Sequence, residues 1–507
     1  MSSDLLQSPK LRPDDFPMPN ELLVQVVPKV ATIDSCKQSL AERIKAAKRA
    51  ATAEEVTDDD SDSETAQTSK GVHYTLRPRP ETPVLEAPVV PASALEGNNL
   101  QFGIMASWME AEPTDKQKTR LQDLLRYLTG LLNSKATVDN PAGERYIVDV
   151  FGSVAWGGGT GKSGDVDLVI IDKDYPLGYE PHLWRTSPLQ RVTANSSRDR
   201  RTKNKNVSKI YNVHVLKQYL DDVSGFDSTK AVPAYTPIVK FDAPGLGLQF
   251  DICTNDLGGW YNSCLILAYC ELSPFVLRPM IHVLKLWLES HNLNDPSGVK
   301  GLRTMSSYCI TLMAIAYLQH IAVLPNLQSA VEVPASADPG NTGLENTVWV
   351  SWGKRQGDIA HIWFERHPPA GWVSAKPRVT ASEAVRGFFQ FFSRSASESF
   401  DPNTQLISLL NGGIISRRYP QAPGREHWVK LGRRFPGNDH VGKCDSYQCT
   451  DWDDQLLIVQ DPFLWQKNCA KTLFIDKQEG RFFKHIATTH RFLKANPMAT
   501  LPQLLSI

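Results

Sequence analysis

The stretch that most constrains this fold is WGGGTGKSGDVDL, residues 156–168. Its centre, Gly-Thr-Gly-Lys-Ser, looks like the end of a phosphate-binding P-loop, and its close, Asp-Val-Asp, looks like half of a metal site. The two readings demand different folds. A P-loop needs G-x-x-x-x-G-K-[ST] with a strand before it and a helix after it. Counting back from Gly161 puts the first glycine at position 156, where Trp156 stands. Shortly after Ser163 comes VDLVII, residues 166–171, an apolar strand pattern and not a helix. No helix N-terminus would then face the phosphates. The P-loop reading fails on both counts.

The strand reading leads further. Side chains alternate along a strand, so Asp165 and Asp167 share a face, opposite Val166, Leu168 and Ile170. Two carboxylates about 7 Å apart along one strand repel each other. A divalent cation removes that repulsion, and magnesium prefers such hard oxygen ligands. Downstream, PIVKFD (237–242) and LGLQFDI (246–252) flank the turn APG and predict a hairpin. In its second strand Gly247, Gln249 and Asp251 share a face. If that strand lies beside residues 166–171, Asp251 completes a cluster of three carboxylates. Upstream, Phe151-Gly152-Ser153 ends a strand over residues 146–151; Gly152 lets a phosphate approach the backbone, and Ser153 can donate to it.

The rest of the chain divides around this centre. Residues 1–99 read as a disordered tail, rich in proline, nearly without aromatics, and carrying the acidic run EEVTDDDSDSE. Such a segment buries too little apolar surface to offset its ordering entropy. Leu121, Leu124, Leu125, Leu128, Leu131 and Leu132 follow helical spacing. Residues 172–232 are long and polar and hold the basic stretch 198–209, a candidate RNA-backbone contact. Beyond residue 261 helical patterns dominate, with buried helices expected over 275–291 and 306–324. A Gly/Pro-rich insertion is expected over 334–377, a helix over 383–392 and a short strand over 456–460.

Bulk properties narrow the function classes. The 507 residues carry a formal net charge of zero, so any nucleic-acid binding must come from local patches. The eight cysteines include no CxxC pair, which suits reduced thiols and a cytoplasmic or nuclear location. His440, Cys444 and Cys449 lack the pairing that a zinc site needs. No secretory signal is visible, and the longest apolar run, residues 308–318, falls short of the ~20 residues that cross a bilayer.

Taken in order, FGS, DVDL at 165–168 and FDI at 250–252 resemble the nucleotidyltransferase superfamily that includes DNA polymerase beta. More narrowly, they resemble the template-independent RNA terminal nucleotidyltransferases, the poly(A)/poly(U) polymerase family. RPMIHVLKLWL (278–288), MSSYCITLMAIAYLQ (305–319) and VQDPF (459–463) extend the likeness across most of residues 100–475. The resemblance implies an α+β fold: a palm-like mixed-sheet nucleotidyltransferase domain over 141–258, packed against a mostly helical domain over 259–507. The latter includes a PAP-associated region at about 383–467. A helical segment, 100–140, is expected to pack on the helical domain.

The resemblance also implies roles. Asp165 and Asp167 would hold two Mg2+ or Mn2+ ions, and Asp251 would hold one of them and help activate the RNA 3′-hydroxyl. Gly152 and Ser153 would contact the triphosphate of the incoming nucleoside triphosphate, as would Lys285 and Ser307. Asn262 would contact the ribose, Tyr308 would stack on the base, and Asp461 belongs to the base site. The implied reaction is template-independent addition of AMP or UMP to RNA 3′ ends, with release of pyrophosphate. No membrane is implied. The tail reads as a solvated linker, with a docking arm for a protein partner as the alternative.

Plainer readings stand beside these. Lys285 fits a helix lysine snorkelling from a buried helix, Tyr308 a core aromatic, Asn262 a cap of the helix after it, and Asp461 an N-cap before Pro462. Two positions depart from the family pattern. Glu289 stands where a second triphosphate lysine is common, with Arg303 or His291 as candidate substitutes. Lys467 stands where uridylyl-transferring members tend to carry histidine, which leaves the base preference open. Rival functions are a synthase of short or cyclic oligonucleotides on the same fold, and a non-enzymatic RNA-binding scaffold.

Overall fold

The computed structural model describes residues 90–136, 145–160, 165–179, 208–223, 225–233, 236–243, 245–329, 347–351, 358–395, 398–417, 455–465 and 467–507. The tail 1–89, nearly all of the basic stretch 198–209, and His440, Cys444 and Cys449 lie outside them.

A short helix α1 (Ala92–Leu95) precedes α2 (Asn99–Ala111), so helix begins inside the segment expected as tail. Asn98 caps α2, its Oδ1 accepting from the Gln101 N–H at 2.9 Å. The next helix, α3 (Asp115–Ala136), parts company with α2. The expectation that residues 100–140 pack together on the helical half needs correcting. Leu100, Ile104, Met105 and Trp108 of α2 enter the helical core. The α3 stripe Leu121, Leu124, Leu128 and Leu132 instead covers the sheet. Side chains of α3 also serve the sheet's border: Thr129 Oγ1 accepts from the Val148 N–H and Asn133 Oδ1 from the Tyr146 N–H, both at 2.9 Å.

The sheet contains β1 (Tyr146–Phe151) and β2 (Val166–Asp172), then, after helix α4 (Val213–Asp221), β3 (Asp227–Val232), β4 (Ile238–Ala243) and β5 (Leu248–Thr254). Their order is β1-β2-β5-β4-β3. Only β2 and β5 pair in parallel, and that pairing needs a long crossover. The crossover contains α4 and β3, which the polar reading of residues 172–232 missed. Only Val213, Leu216 and Leu220 of α4 are buried, and β3 is a border strand with largely solvated side chains.

The two sheet faces belong to different cores. Val166, Leu168, Ile170, Phe250 and Ile252 pack with α3 and α4. Val169, Ile171 and Cys253 join the helical core on the other side. Leu168 and Ile170 are fully buried, and each contributes about 1.5–3 kcal/mol. A one-residue slip would move them to the opposite face and drive Asp167 into the core under α3 and α4, so this burial fixes where Asp167 points.

The helical half begins with α5 (Gly258–Leu272), α6 (Leu277–Ser290) and α7 (Ser307–His320), with α6 and α7 buried along most of their length. The expected insertion holds a two-stranded ribbon, β6 (Thr347–Val350) and β7 (Asp358–His361). Helix α8 (Ala381–Phe392) starts with a Thr380–Glu383 capping box. A small sheet joins β8 (Gln405–Ser408), β9 (Gly413–Ser416) and β10 (Val459–Gln460), the last shorter than the strand expected over 456–460. The chain ends in α9 (Lys471–Ile475), α10 (Glu479–Ala495) and α11 (Leu501–Leu505). Among the described residues no helix is long and apolar enough to cross a membrane.

Candidate active site

Parallel pairing sets Asp167 of β2 directly beside Asp251 of β5. Paired residues of adjacent strands point to the same face, about 4.8 Å apart. Two carboxylates from separate β-segments are thereby brought side by side, with Asp165 just ahead of β2. Lys240 of β4 pairs with Asp251 from the other side. Its Nζ donates to the two Asp251 oxygens at 2.9 and 2.6 Å and lies 3.7 Å from Asp165 Oδ2.

This crowding shows in the electrostatics. Burial first, then the charges of Asp251 and Asp165, push the Asp167 carboxyl up to about 7, with Lys240 and Lys285 opposing. Burial also raises Asp251, against the pull of Lys240. Among the described residues no group of three His, Cys, Asp or Glu side chains is arranged to hold an ion as it stands. The Lys240 ammonium instead supplies the positive charge between Asp251 and Asp165. The donor chemistry fits the implied metal: carboxylates only, one of them pushed toward its neutral form by burial and by the charges beside it, which is the cost a hard divalent cation relieves.

Gly152 adopts φ +71°, and its N–H donates to Ser263 Oγ at 2.8 Å. A Cβ there would overlap Asp167 Oδ2 and lie 3.1 Å from Asp167 Cγ. The missing side chain is what lets the carboxylate lie against this backbone. The Ser153 carbonyl accepts from the Gly158 N–H at 2.7 Å. Lys285 Nζ donates to the Gly158 carbonyl at 2.5 Å, and burial lowers its pKa to about 8 despite Glu289 and Asp167.

A second group of predicted residues gathers nearby. Tyr308 donates its hydroxyl proton to Asn262 Oδ1 at 2.8 Å. Lys467 Nζ lies 3.0 Å from Asp461 Oδ2 and 5.8 Å from the Tyr308 ring centre. Burial works against the Lys467 charge, but Asp461 outweighs it and holds the ammonium above its ordinary range. Asp461 Oδ1 accepts from the Phe463 and Leu464 N–H groups of a turn, while the other oxygen meets Lys467; no helix starts at Pro462, so the helix-cap reading of this residue fails. Ser307 Oγ donates to Asn294 Oδ1 at 3.2 Å. Asn262 sits inside α5, not at its end, which removes the capping reading. Its neighbour Ser263 bonds to Gly152, so one turn of α5 joins the two groups.

Of the two candidate substitutes for a second lysine, His291 is ruled out. It is buried, with its Nδ1 2.7 Å from the Trp287 carbonyl and its ring 4.9 Å from the indole. Arg303 is exposed, and its backbone N–H donates to Asp476 Oδ2 at 2.7 Å. Glu289 is exposed at the end of α6.

Sequence reasoning missed Lys240, Ser263 and His282. Lys240 stands between Val239 and Phe241 in PIVKFD, but only strand register shows that it faces Asp251. Ser263 stood in the YNS motif beside Asn262. His282 lies in RPMIHVLKLWL, where it reads as one more buried position.

Residues 100–271 match the family model of the central palm domain of mitochondrial-like poly(A) RNA polymerase. The chain is 26% identical over 347 residues to Poly(A) RNA polymerase gld-2 homolog B of Drosophila melanogaster, covering 67% of this chain and 22% of that one. It is 36% identical over 203 residues to Poly(A) RNA polymerase GLD2-A of Xenopus laevis, covering 40% of this chain and 34% of that one. The chain thus spans less than half the length of these curated relatives. A solved structure of the Cid1 poly(U) polymerase bound to MgATP superposes with a TM-score of 0.50 at 18% identity, over 80% of this chain and 97% of that one. The palm-and-helix fold is common to both.

Proposed function

Because the chain belongs to the template-independent RNA nucleotidyltransferases, we propose that it transfers single nucleoside monophosphates from nucleoside triphosphates to RNA 3′ ends. The observation that carries this is the in-register placement of Asp167 beside Asp251, with Asp165 adjacent and Gly152 packed on the Asp167 carboxylate. Two divalent cations, Mg2+ or Mn2+, held by Asp165, Asp167 and Asp251, would supply charge to lower the pKa of the 3′-hydroxyl and to stabilise the departing pyrophosphate. The chain's own share is positioning. β2 and β5 set the carboxylates, Gly152, Ser153, Lys285 and Ser307 take the triphosphate, and Asn262 and Tyr308 orient the nucleoside end.

Between UMP and AMP, the base site favours UMP. Both Asp461 oxygens are engaged, which leaves the remaining Lys467 N–H donors beside Tyr308. A lysine donates only. Uracil offers the acceptor O4 to such a donor, where adenine offers an amino group.

The test is extension of a labelled RNA primer with ATP, UTP, CTP and GTP supplied separately, by the wild type and Asp167→Ala. Loss of a charge-positioning group lowers the rate by about 10²–10³-fold or more. Near-normal tailing by Asp167→Ala would eliminate the mechanism. Products formed from nucleoside triphosphates without RNA would favour the oligonucleotide synthase, and no incorporation with either metal would favour the scaffold.

A further inference from the structure

One buried carboxylate beneath the site takes no part in the proposed chemistry. Strand register pairs Phe151 with Asp167 and, one step deeper on the same face, Asp149 with Val169. Asp149 is 1% exposed. Its neighbours along that face of β1, Ile147 and Phe151, are apolar and pack on the helical core. A carboxylate in such surroundings is costly unless its oxygens are bonded. Oδ1 accepts from the Val150 N–H and Oδ2 from the Trp260 indole N–H, both at 2.9 Å. The first bond serves the sheet. The Val150 N–H alternates with those of Tyr146 and Val148, which α3 caps, so Asp149 finishes that border. The second bond reaches 111 residues along the chain, into the first turn of α5.

That turn needs a hold. It begins Gly258-Gly259, and glycine disfavours helix more than any residue but proline. Its N-cap position, Leu257, supplies no side-chain bond. Two further contacts join Asp149 in fixing the turn to the end of β1. Ser263 Oγ accepts from the Gly152 N–H and donates to the Gly259 carbonyl, each at 2.8 Å. A Cβ on Gly259 would overlap the Phe151 ring, so α5 lies directly against the strand there. Asp149, Phe151 and Gly152 thus hold α5 at Trp260, Gly259 and Ser263.

Asn262 stands among these three points. Its Oδ1 accepts from the Tyr308 hydroxyl at 2.8 Å, which leaves the amide N–H donors as what it offers a sugar hydroxyl. Residues two apart on a helix do not face each other. The bond from Trp260 to Asp149 therefore anchors the side of the turn away from Asn262 and fixes its rotation.

We propose that Asp149, which touches no substrate, is a positioning residue: through Trp260 it holds the first turn of α5, and with it the Asn262 amide at the ribose 2′-hydroxyl. The assignment rests on the reading that the site takes nucleoside triphosphates with Asn262 at the sugar. Selection of ribonucleotides over 2′-deoxyribonucleotides then depends on a buried acid and an indole that both lie off the substrate.

Primer extension by the full chain with ATP and UTP, each beside its 2′-deoxy form, tests this. The readout is kcat/KM for the ribonucleotide divided by kcat/KM for the deoxyribonucleotide, a ratio that loss of folded protein does not move. Trp260→Phe keeps a ring and loses the indole N–H. It lowers the ratio by about three- to tenfold, the equivalent of one hydrogen bond. Asp149→Asn keeps the shape but loses the charge and one acceptor, and lowers the ratio by a similar factor. The double variant goes no lower than the lower single, because the two residues share one bond. Asn262→Ala is the reference and lowers the ratio at least as far. Where Asp149→Asn does not fold, Trp260→Phe decides alone. A ratio unchanged in Trp260→Phe, while Asn262→Ala lowers it, would overturn the positioning role. Additive losses in the double variant would overturn the link from Asp149 to Trp260. A ratio unchanged in Asn262→Ala removes the sugar contact beneath the inference, and a wild type that extends no RNA sinks the function itself.

Discussion

Gly152→Ala is the smallest change that reaches the reacting centre. The residue sits at φ +71°, where a side chain costs about 1–2 kcal/mol. Its new Cβ would overlap Asp167 Oδ2 and stand 3.1 Å from Asp167 Cγ. Non-bonded carbons settle at about 3.5–4.0 Å, so the carboxylate must retreat by roughly half an ångström to one ångström. It cannot retreat freely, because Val166 and Leu168 on either side are buried at 2% and 0% exposure. A displacement of about 1 Å at a reacting group costs about 10²-fold in rate. Gly152→Ala should therefore extend a labelled RNA primer about a hundredfold more slowly at saturating nucleotide and metal. Its unfolding temperature should fall by about 1–2 °C from the backbone strain. Gly245→Ala, where an added Cβ meets nothing within 4 Å, serves as the control. An alanine at position 152 with wild-type rate would refute the claim that the Asp167 carboxylate needs that bare backbone.

Two further outcomes arise from the charges. Burial, and to a lesser extent Lys285, hold His282 neutral with a pKa lowered to about 4 from 6.5. The unfolded chain then binds a proton that the folded chain refuses as pH falls from 6.5 to 4, so stability is complete above that window and declines within it, by up to about 3 kcal/mol. Denaturant unfolding across pH 4–7 should show this decline in the wild type and a shallower one in His282→Gln; identical slopes would contradict it. In EDTA, Lys240→Met should melt lower than the wild type, since Asp251 and Asp165 lose the ammonium between them. Millimolar Mg2+ should raise its melting temperature more than the wild type's, because a ligand of the folded state stabilises by mass action. Equal shifts in the two proteins would remove Lys240 from the acidic cluster's charge balance.

The strands that carry the acids were legible because their side chains alternate so plainly: VDLVII and LGLQFDI each separate an apolar face from a polar one. Long apolar helices such as α6 and α7 were legible for the same reason of burial. What escaped had weaker local signals. Helix α4 buries three side chains in nine residues, and β3 is a solvated border strand. The split between α2 and α3 could not be read either, since both show apolar stripes and nothing local says which core each stripe meets. Within the site, the residue types of the carboxylate trio and of Asn262, Tyr308 and Asp461 were visible in motifs. Lys240 and His282 were not, because each acquires its meaning from a partner distant in the chain: Asp251 through strand register, and Gly159 across 123 residues.

The β1 border of the large sheet has an unusual finish. Thr129 and Asn133 of α3 accept from two of its backbone N–H groups, so a helix rather than another strand closes that side. An extended peptide arriving there would find hydrogen-bond positions already taken and a leucine-lined helix in its way. At the opposite border, β3 pairs only with β4 among the described residues, and its register shifts between Asp227 and Lys230. Growth of this sheet, whether by a partner's strand or by a second copy, is thereby directed to one side, the side away from β1, and the irregular register there discourages long, flat additions.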